Sequence, residues 1–258
     1  MTSAPATGTD PGSASSGNQT PALEATAAPP PCAWLVGLLQ AGDSFYPTGS
    51  YAHSFGLEGL VHEGVVRDRE TLRTFLVRSA LPTLQHVELP LAAQAWHAFA
   101  APDWARVGEL CVLSSALKSA REARLASDNI GRQRAELSAS LRASPLAREF
   151  VRRTSEQGWP HSSAISAALE GRVLGAPVEA VLAGLTYASI AALLSAAMKL
   201  LRLGQNGAQS LLTESLATAP HLIAAAQQVP LDAIGWFNPW LDIAAARHES
   251  ADARMFIS

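Results

Sequence analysis

Between Glu179 and Lys199 the chain runs for 19 residues, Ala180 to Met198, without a single charge. A membrane-crossing helix needs roughly 20 apolar residues, so length alone permits one. Composition argues the other way. Ala, Gly, Ser and Thr supply most of the run, and no aromatic belts flank it. A helix of small apolar residues on all sides suits the centre of a helical core, packed by other helices. The rest of the chain is therefore expected to arrange itself around this segment.

The totals agree with a helical protein. The chain has 258 residues, 48% of them hydrophobic, enough for one large core or two modest domains. Only 16% are charged, and Ala and Leu dominate the apolar set with few β-branched runs. No sustained period-2 alternation occurs, and Asn206-Gly207 lies between helical segments rather than in a hairpin. The expected fold is all-α: a single multi-helix domain over residues 33–258, with roughly ten helices around the central apolar one. Residues 1–32 differ. They are rich in Ala, Ser and Pro, hold six of the 16 prolines, and lack the basic start and apolar core of a secretory signal. Such a segment is expected to be disordered. A net charge of −3 makes no global case for nucleic acid or an anionic membrane. Cys32 and Cys111 are far apart, form no C-x-x-C pair, and read as reduced cytosolic thiols.

The densest run of special residues is Leu38 to Leu60. An apolar helix from Trp34 to Ala41 leads into a turn at Asp43, Pro47 and Gly49. Pro47 fixes its own φ, Gly49 permits positive φ, and Ser50 is placed to cap a second helix reaching about Glu63. That helix would carry Tyr51, His53, Ser54 and Glu58, with Glu58 and His62 paired on its surface at i,i+4. Further on, Asp68 and Asp103 are helix caps, and Pro82 and Pro90 punctuate the stretch between them. The aromatic cluster Trp236, Phe237 and Trp240 is expected in the core, and a last helix starts near Pro239.

From Lys118 to Arg153 the chain holds nine of its 19 basic residues and four acids. Arg121, Arg124 and Asp128 share a helix face. The stretch reads either as a solvated helix or as a positive face for an acidic partner. Nucleic acid fits poorly, because no aromatics interleave the charges.

Local motifs for catalysis are thin. Ala52-His53-Ser54-Phe55-Gly56 approaches the G-x-S-x-G elbow of serine hydrolases, but the elbow needs a preceding strand. His53, next to Ser54 on one helix, points about 100° away from it. The seven histidines show no H-x-x-x-H spacing, and no phosphate-binding glycine loop occurs. From the residues alone, the reading is a cytosolic all-α protein without a metal site or catalytic centre.

Three blocks together resemble the urease accessory protein UreF family. The first is Leu38-Leu39-Gln40 through Asp43, Pro47, Gly49-Ser50-Tyr51 and His53-Ser54-Phe55-Gly56-Leu57-Glu58. The second is Glu122, Arg124 and Ala126 to Arg132, then Leu203-Gly204-Gln205 with Gly207 and Gln209. The third is His248-Glu249-Ser250 through Arg254-Met255-Phe256-Ile257-Ser258. The resemblance implies a non-catalytic, homodimeric, cytoplasmic helical scaffold. It would bridge a UreD/UreH-type protein and the GTPase UreG on apo-urease and support nickel insertion. Nickel and GTP would be handled by the partner complex, with no cofactor bound by this chain. It further implies a latch between Tyr51 and Arg254. Around it lies a partner surface of Gly49, Ser50, His53, Ser54, Glu58, Arg121, Arg124, Gly204, Gln205, His248 and Glu249. Two other readings remain beside it: a hydrolase using Ser54, and a regulator binding an anionic partner through residues 118–153.

Overall fold

Pro82 and Pro90 do not break the chain where they stand. The computed structural model describes residues 1–2, 32–50, 53–248 and 255–256. Nearly all of the tail expected to be disordered, residues 1–32, therefore lies outside the described residues. In it α1 (Ala33–Gly42) enters the joint and α2 (Leu57–His62) leaves it. Then α3 (Arg69–Phe75), a π-helical turn (Leu76–Ala80), α4 (Leu81–Thr83), a second π turn (Leu84–Glu88) and α5 (Leu89–Ala98) form one unbroken helical run. A proline ring crowds the carbonyl four residues back and offers it no N–H. Those carbonyls belong to Arg78 and His86, and each lies inside one of the π turns, whose wider winding makes room. The His86 carbonyl, left without its helical donor by Pro90, accepts the N–H of Gly235 at 3.0 Å.

The run starts as expected. Asp68 accepts the Thr71 N–H at 2.9 Å in a capping box, and Leu72, Phe75, Leu76 and Ala80 are buried on one face. Next come α6 (Trp104–Ala116), capped by Asp103, α7 (Arg121–Leu141) and α8 (Pro145–Gln157). They are followed by α9 (Ser163–Leu174), α10 (Val178–Leu200), α11 (Gln205–Leu216), α12 (Ala219–Ala226), a 3-10 turn (Leu231–Ala233) and α13 (Pro239–His248). Among the described residues there is no strand.

α10 is the uncharged helix, and it packs against α1, α2, α5, α9, α11 and α12. By length and composition it alone among the described helices is apolar enough to cross a membrane, yet Val181, Leu182, Thr186, Ile190, Leu193 and Leu194 are buried in the core. It is not enclosed on every side, as the sequence suggests. Ala183, Tyr187, Ser195 and Met198 are exposed along one flank. The helix sealed all round is α9, where every residue from Ala164 to Gly171 is buried, held between α5 and α7.

Candidate functional site

The joint folds differently from a simple second helix. Helix α2 begins at Leu57, seven residues later than Ser50, because the backbone reverses first. Phe55 (φ +52°) and Gly56 (φ +84°) both lie in the left-handed region, which costs a non-glycine residue roughly 1–2 kcal/mol. Gly49 also takes a positive φ, +76°, as the turn requires. Oriented with its nitrogen toward this turn, the Gln133 carboxamide of α7 donates to the carbonyls of Pro47 and Thr48 at 3.0 and 2.9 Å. Ser50 is half-buried in the turn and does not cap α2, whereas the Ser54 hydroxyl accepts the Glu58 N–H at 3.3 Å inside its first turn.

Glu58 is not on the surface. It is 1% exposed, and its carboxylate accepts two backbone N–H groups of the C-terminal segment, Met255 at 2.7 Å and Phe256 at 3.0 Å. His62 stays exposed, 3.9 Å from the same carboxylate. The contact expected as an exposed helix pair is therefore secondary to a buried clamp. A carboxylate can accept several such bonds, and charge makes each stronger than a neutral one. The clamp is reinforced by packing. Phe256 is buried, and the Lys199 ammonium of α10 sits 5.2 Å from its ring centroid. α13 lies directly on α2, where a Cβ on Gly59 would fall 2.6 Å from the Ala244 carbonyl oxygen. Arg247 reaches Glu63 at 2.8 Å across the same contact. Thus the first and third motif blocks, almost 200 residues apart in sequence, meet through Glu58.

Beside the clamp is a cleft of about 420 Å³. His53, Arg121, Glu122, Asn129 and Phe256 line it. His53 is 6% exposed, and burial holds its imidazole below the usual histidine range, partly offset by the nearby Glu122 carboxylate. The cleft gathers polar groups from the joint, the start of α7 and the C-terminus. Among the described residues no three His, Cys, Asp or Glu side chains are grouped to hold a metal ion.

The Ser54 elbow has no such context. Ser54 is fully buried, no strand precedes it among the described residues, and its hydroxyl is engaged at the start of α2. The basic stretch is largely spent within the fold. Arg124 donates to the Lys118 and Ser119 carbonyls at 2.6 Å, which ties the connection between α6 and α7 to the first turn of α7. Asp128 accepts the His161 N–H at 2.7 Å ahead of α9, and Arg152 and Arg153 pair with Glu149. Lys118 pairs with Glu88 at 2.9 Å. Arg121 is exposed at the mouth of the cleft. Gly204 and Gln205 are exposed at the α10–α11 corner, where Gly204 precedes the first turn of α11. Tyr51, Glu249 and Arg254 lie outside the described residues, as does the side chain of His248, which ends α13.

Sequence reasoning missed a second tie on the joint. The Tyr46 hydroxyl donates to Glu170 at 2.6 Å, and Arg134 donates to the other oxygen of the same carboxylate at 2.9 Å. Glu170 is fully buried within α9. Burial and the adjacent carboxylate push the Tyr46 phenol well above its ordinary range. These three residues sit on different elements with no common spacing, so no motif search could join them. Trp236, Phe237 and Trp240 were expected in the core, but they stand out from it. Phe237 is 83% and Trp240 76% exposed, while Trp236 is held by stacking on His86 at 5.1 Å. With Ile243 they make an apolar surface at the start of α13.

Comparison with known proteins gives a consistent result. A family model described as UreF matches residues 66–216. The urease accessory protein UreF of Bacillus sp. (strain TB-90) is 29% identical over 224 residues, which cover 87% of this chain and 99% of that protein. The urease accessory protein UreF of Paenarthrobacter aurescens (strain TC1) is 34% identical over 234 residues, 87% of this chain and 98% of that protein.

Proposed function

Because the chain belongs to the UreF family of urease accessory proteins, a non-catalytic family, we propose that it is an adaptor in urease maturation. It bridges a UreD/UreH-type protein and the GTPase UreG and brings them to apo-urease for nickel insertion. In this reading nickel is cargo of the assembly, GTP belongs to the GTPase, and the chain itself binds no cofactor. It works in the cytoplasm as a homodimer. The exposed flank of α10 supports the dimer: Ala183, Tyr187, Ser195 and Met198 form an uncharged stretch between the exposed Glu179 and Lys199, and Leu35, Val36 and Leu39 are exposed on α1, which packs on the same helix.

The observation that carries the reading is the Glu58 clamp. It fixes the C-terminal segment against the joint, beside an exposed aromatic surface and a polar cleft, with no nucleophile–base pair or metal set assembled there among the described residues. Such an arrangement suits the display of a surface. Aromatic side chains are the residues from which protein interfaces most often draw their anchors. Tyr51 and Arg254, which the family resemblance pairs, flank this clamp in sequence and would extend it. The test is co-expression of urease subunits and the other accessory proteins with and without this chain. The adaptor predicts that omission lowers both urease activity and nickel per active site. Equal activity and nickel content would overturn it.

A further inference from the structure

A groove on the far side of α6 lies apart from the joint, the C-terminal segment and the flank of α10. Its volume is about 910 Å³. The inner stripe of α6, Val107, Leu110, Cys111 and Ser114, is already buried in the core. Its outer stripe is apolar as well: Ala105, Val112 and Ala116 line the groove, and Val112 is 55% exposed. Trp159 forms one wall, its indole packed so closely on Gly108 that a Cβ there would fall 2.6 Å from the ring. Leu231, in the 3-10 turn, forms the opposite wall. That wall is preformed, since Gly235 and Trp236 just beyond it are tied to His86 by the hydrogen bond and ring stack described above. Among the described residues, the charged ones lining the groove are two acids, Glu109 and Asp232. Glu109 is paired at one edge with Arg106 at 2.7 Å, while Asp232 has no ion-pair partner among the described residues.

From Ala105 to Ala116 the floor rises about 17 Å at 1.5 Å per residue, or three helical turns. This length matches about three turns of an amphipathic helix laid along α6, read as anchors at i, i+4 and i+7. We infer that the groove seats an amphipathic helix of a partner protein, with aliphatic side chains over α6 and a Lys or Arg at its margin facing Asp232, the lining acid that Arg106 does not already pair. A second copy of this chain is a poor occupant. A two-fold contact sets a patch against itself, so concave would meet concave and acid would meet acid. The seat rests on the adaptor reading and adds to it a contact of stated chemistry.

The experiment uses the full chain, purified, with the UreD/UreH-type protein, the GTPase and apo-urease each titrated separately. Val112→Lys places a charge on the apolar floor, and Asp232→Lys reverses the margin. Both positions are exposed, so thermal midpoints should stay at the wild-type value. Val112→Lys is expected to weaken one of the three pairings at least tenfold and leave the other two unchanged. Asp232→Lys should weaken the same pairing about threefold, as an exposed ion pair does, and flatten its salt dependence. Wild-type affinity of Val112→Lys for all three partners overturns the groove and leaves the adaptor standing. A changed oligomeric state with unchanged partner binding overturns it in favour of a second copy. Failure of the wild-type chain to bind any of the three overturns the adaptor reading and the groove together.

Discussion

At the scale of single residues, the fold depends on two buried carboxylates that hold distant segments. Glu58 accepts the Met255 and Phe256 amides, and Glu170 takes Tyr46 and Arg134. Glu58→Gln keeps the shape, replaces a charged acceptor and turns an amide toward two donors. Its expected cost is about 1.5–3 kcal/mol, measured as a lower midpoint in urea unfolding. Arg134→Met strands the Glu170 charge and should cost about 3–5 kcal/mol by the same measurement. Two histidines give the pH response. Burial lowers the pKa of both His53 and His161 below the unfolded value. Between the folded and unfolded pKa values, the unfolded chain therefore binds more protons, and stability rises with pH. Stability should be complete above about pH 6.5 and fall as pH drops below it. A double His53→Gln, His161→Gln variant should show a shallower loss in thermal midpoint between pH 7 and pH 5.5, and an unchanged slope would refute this origin. The importance of Glu58 was partly legible, since it closes a dense motif. Its partner was not, because a backbone N–H leaves no mark in a sequence.

At the scale of elements, helix positions were legible from caps and apolar spacing. Asp68, Asp103 and Pro239 all stand where they start helices. Two features were not. Pro82 and Pro90 predict interruptions by their local chemistry, but tertiary burial on both sides favours a continuous run, and the π turns absorb the rings. The aromatic segment at Trp236 to Trp240 predicts core by hydrophobicity, yet it is exposed, because its neighbours already fill the core and α13 packs through Leu241 and Ala244 instead. Hydropathy alone cannot distinguish residues that bury within the chain from residues that bury against another. In the proposed homodimer, the uncharged stretch of the α10 flank between Glu179 and Lys199 would belong to the same class. Ala183→Arg, an exposed position on that flank, should change stability by less than about 0.5 kcal/mol. If the wild-type chain is the proposed homodimer by light scattering, the variant should drop to the monomer mass; a dimeric variant would overturn this contact, and a monomeric wild type would overturn the homodimer.

For the whole molecule, the joint, α13 and the C-terminal segment behave as one surface built on a helical bundle. The all-α class was legible because no segment alternates and Ala and Leu dominate. The family was legible because three blocks recur in order, and the structure brings the first and third together. The bundle supplies rigidity, the clamp orders the surface, and partners would supply the nickel and nucleotide chemistry. The most direct measurement of this account is assembly of the ternary complex from purified UreD/UreH-type protein, GTPase and either the wild-type chain or Glu58→Gln, by size exclusion with light scattering. Circular dichroism provides the check that the bundle remains folded. The account predicts a folded variant whose ternary complex is lost or weakened at least tenfold. A folded variant that assembles the complex at wild-type level would contradict it.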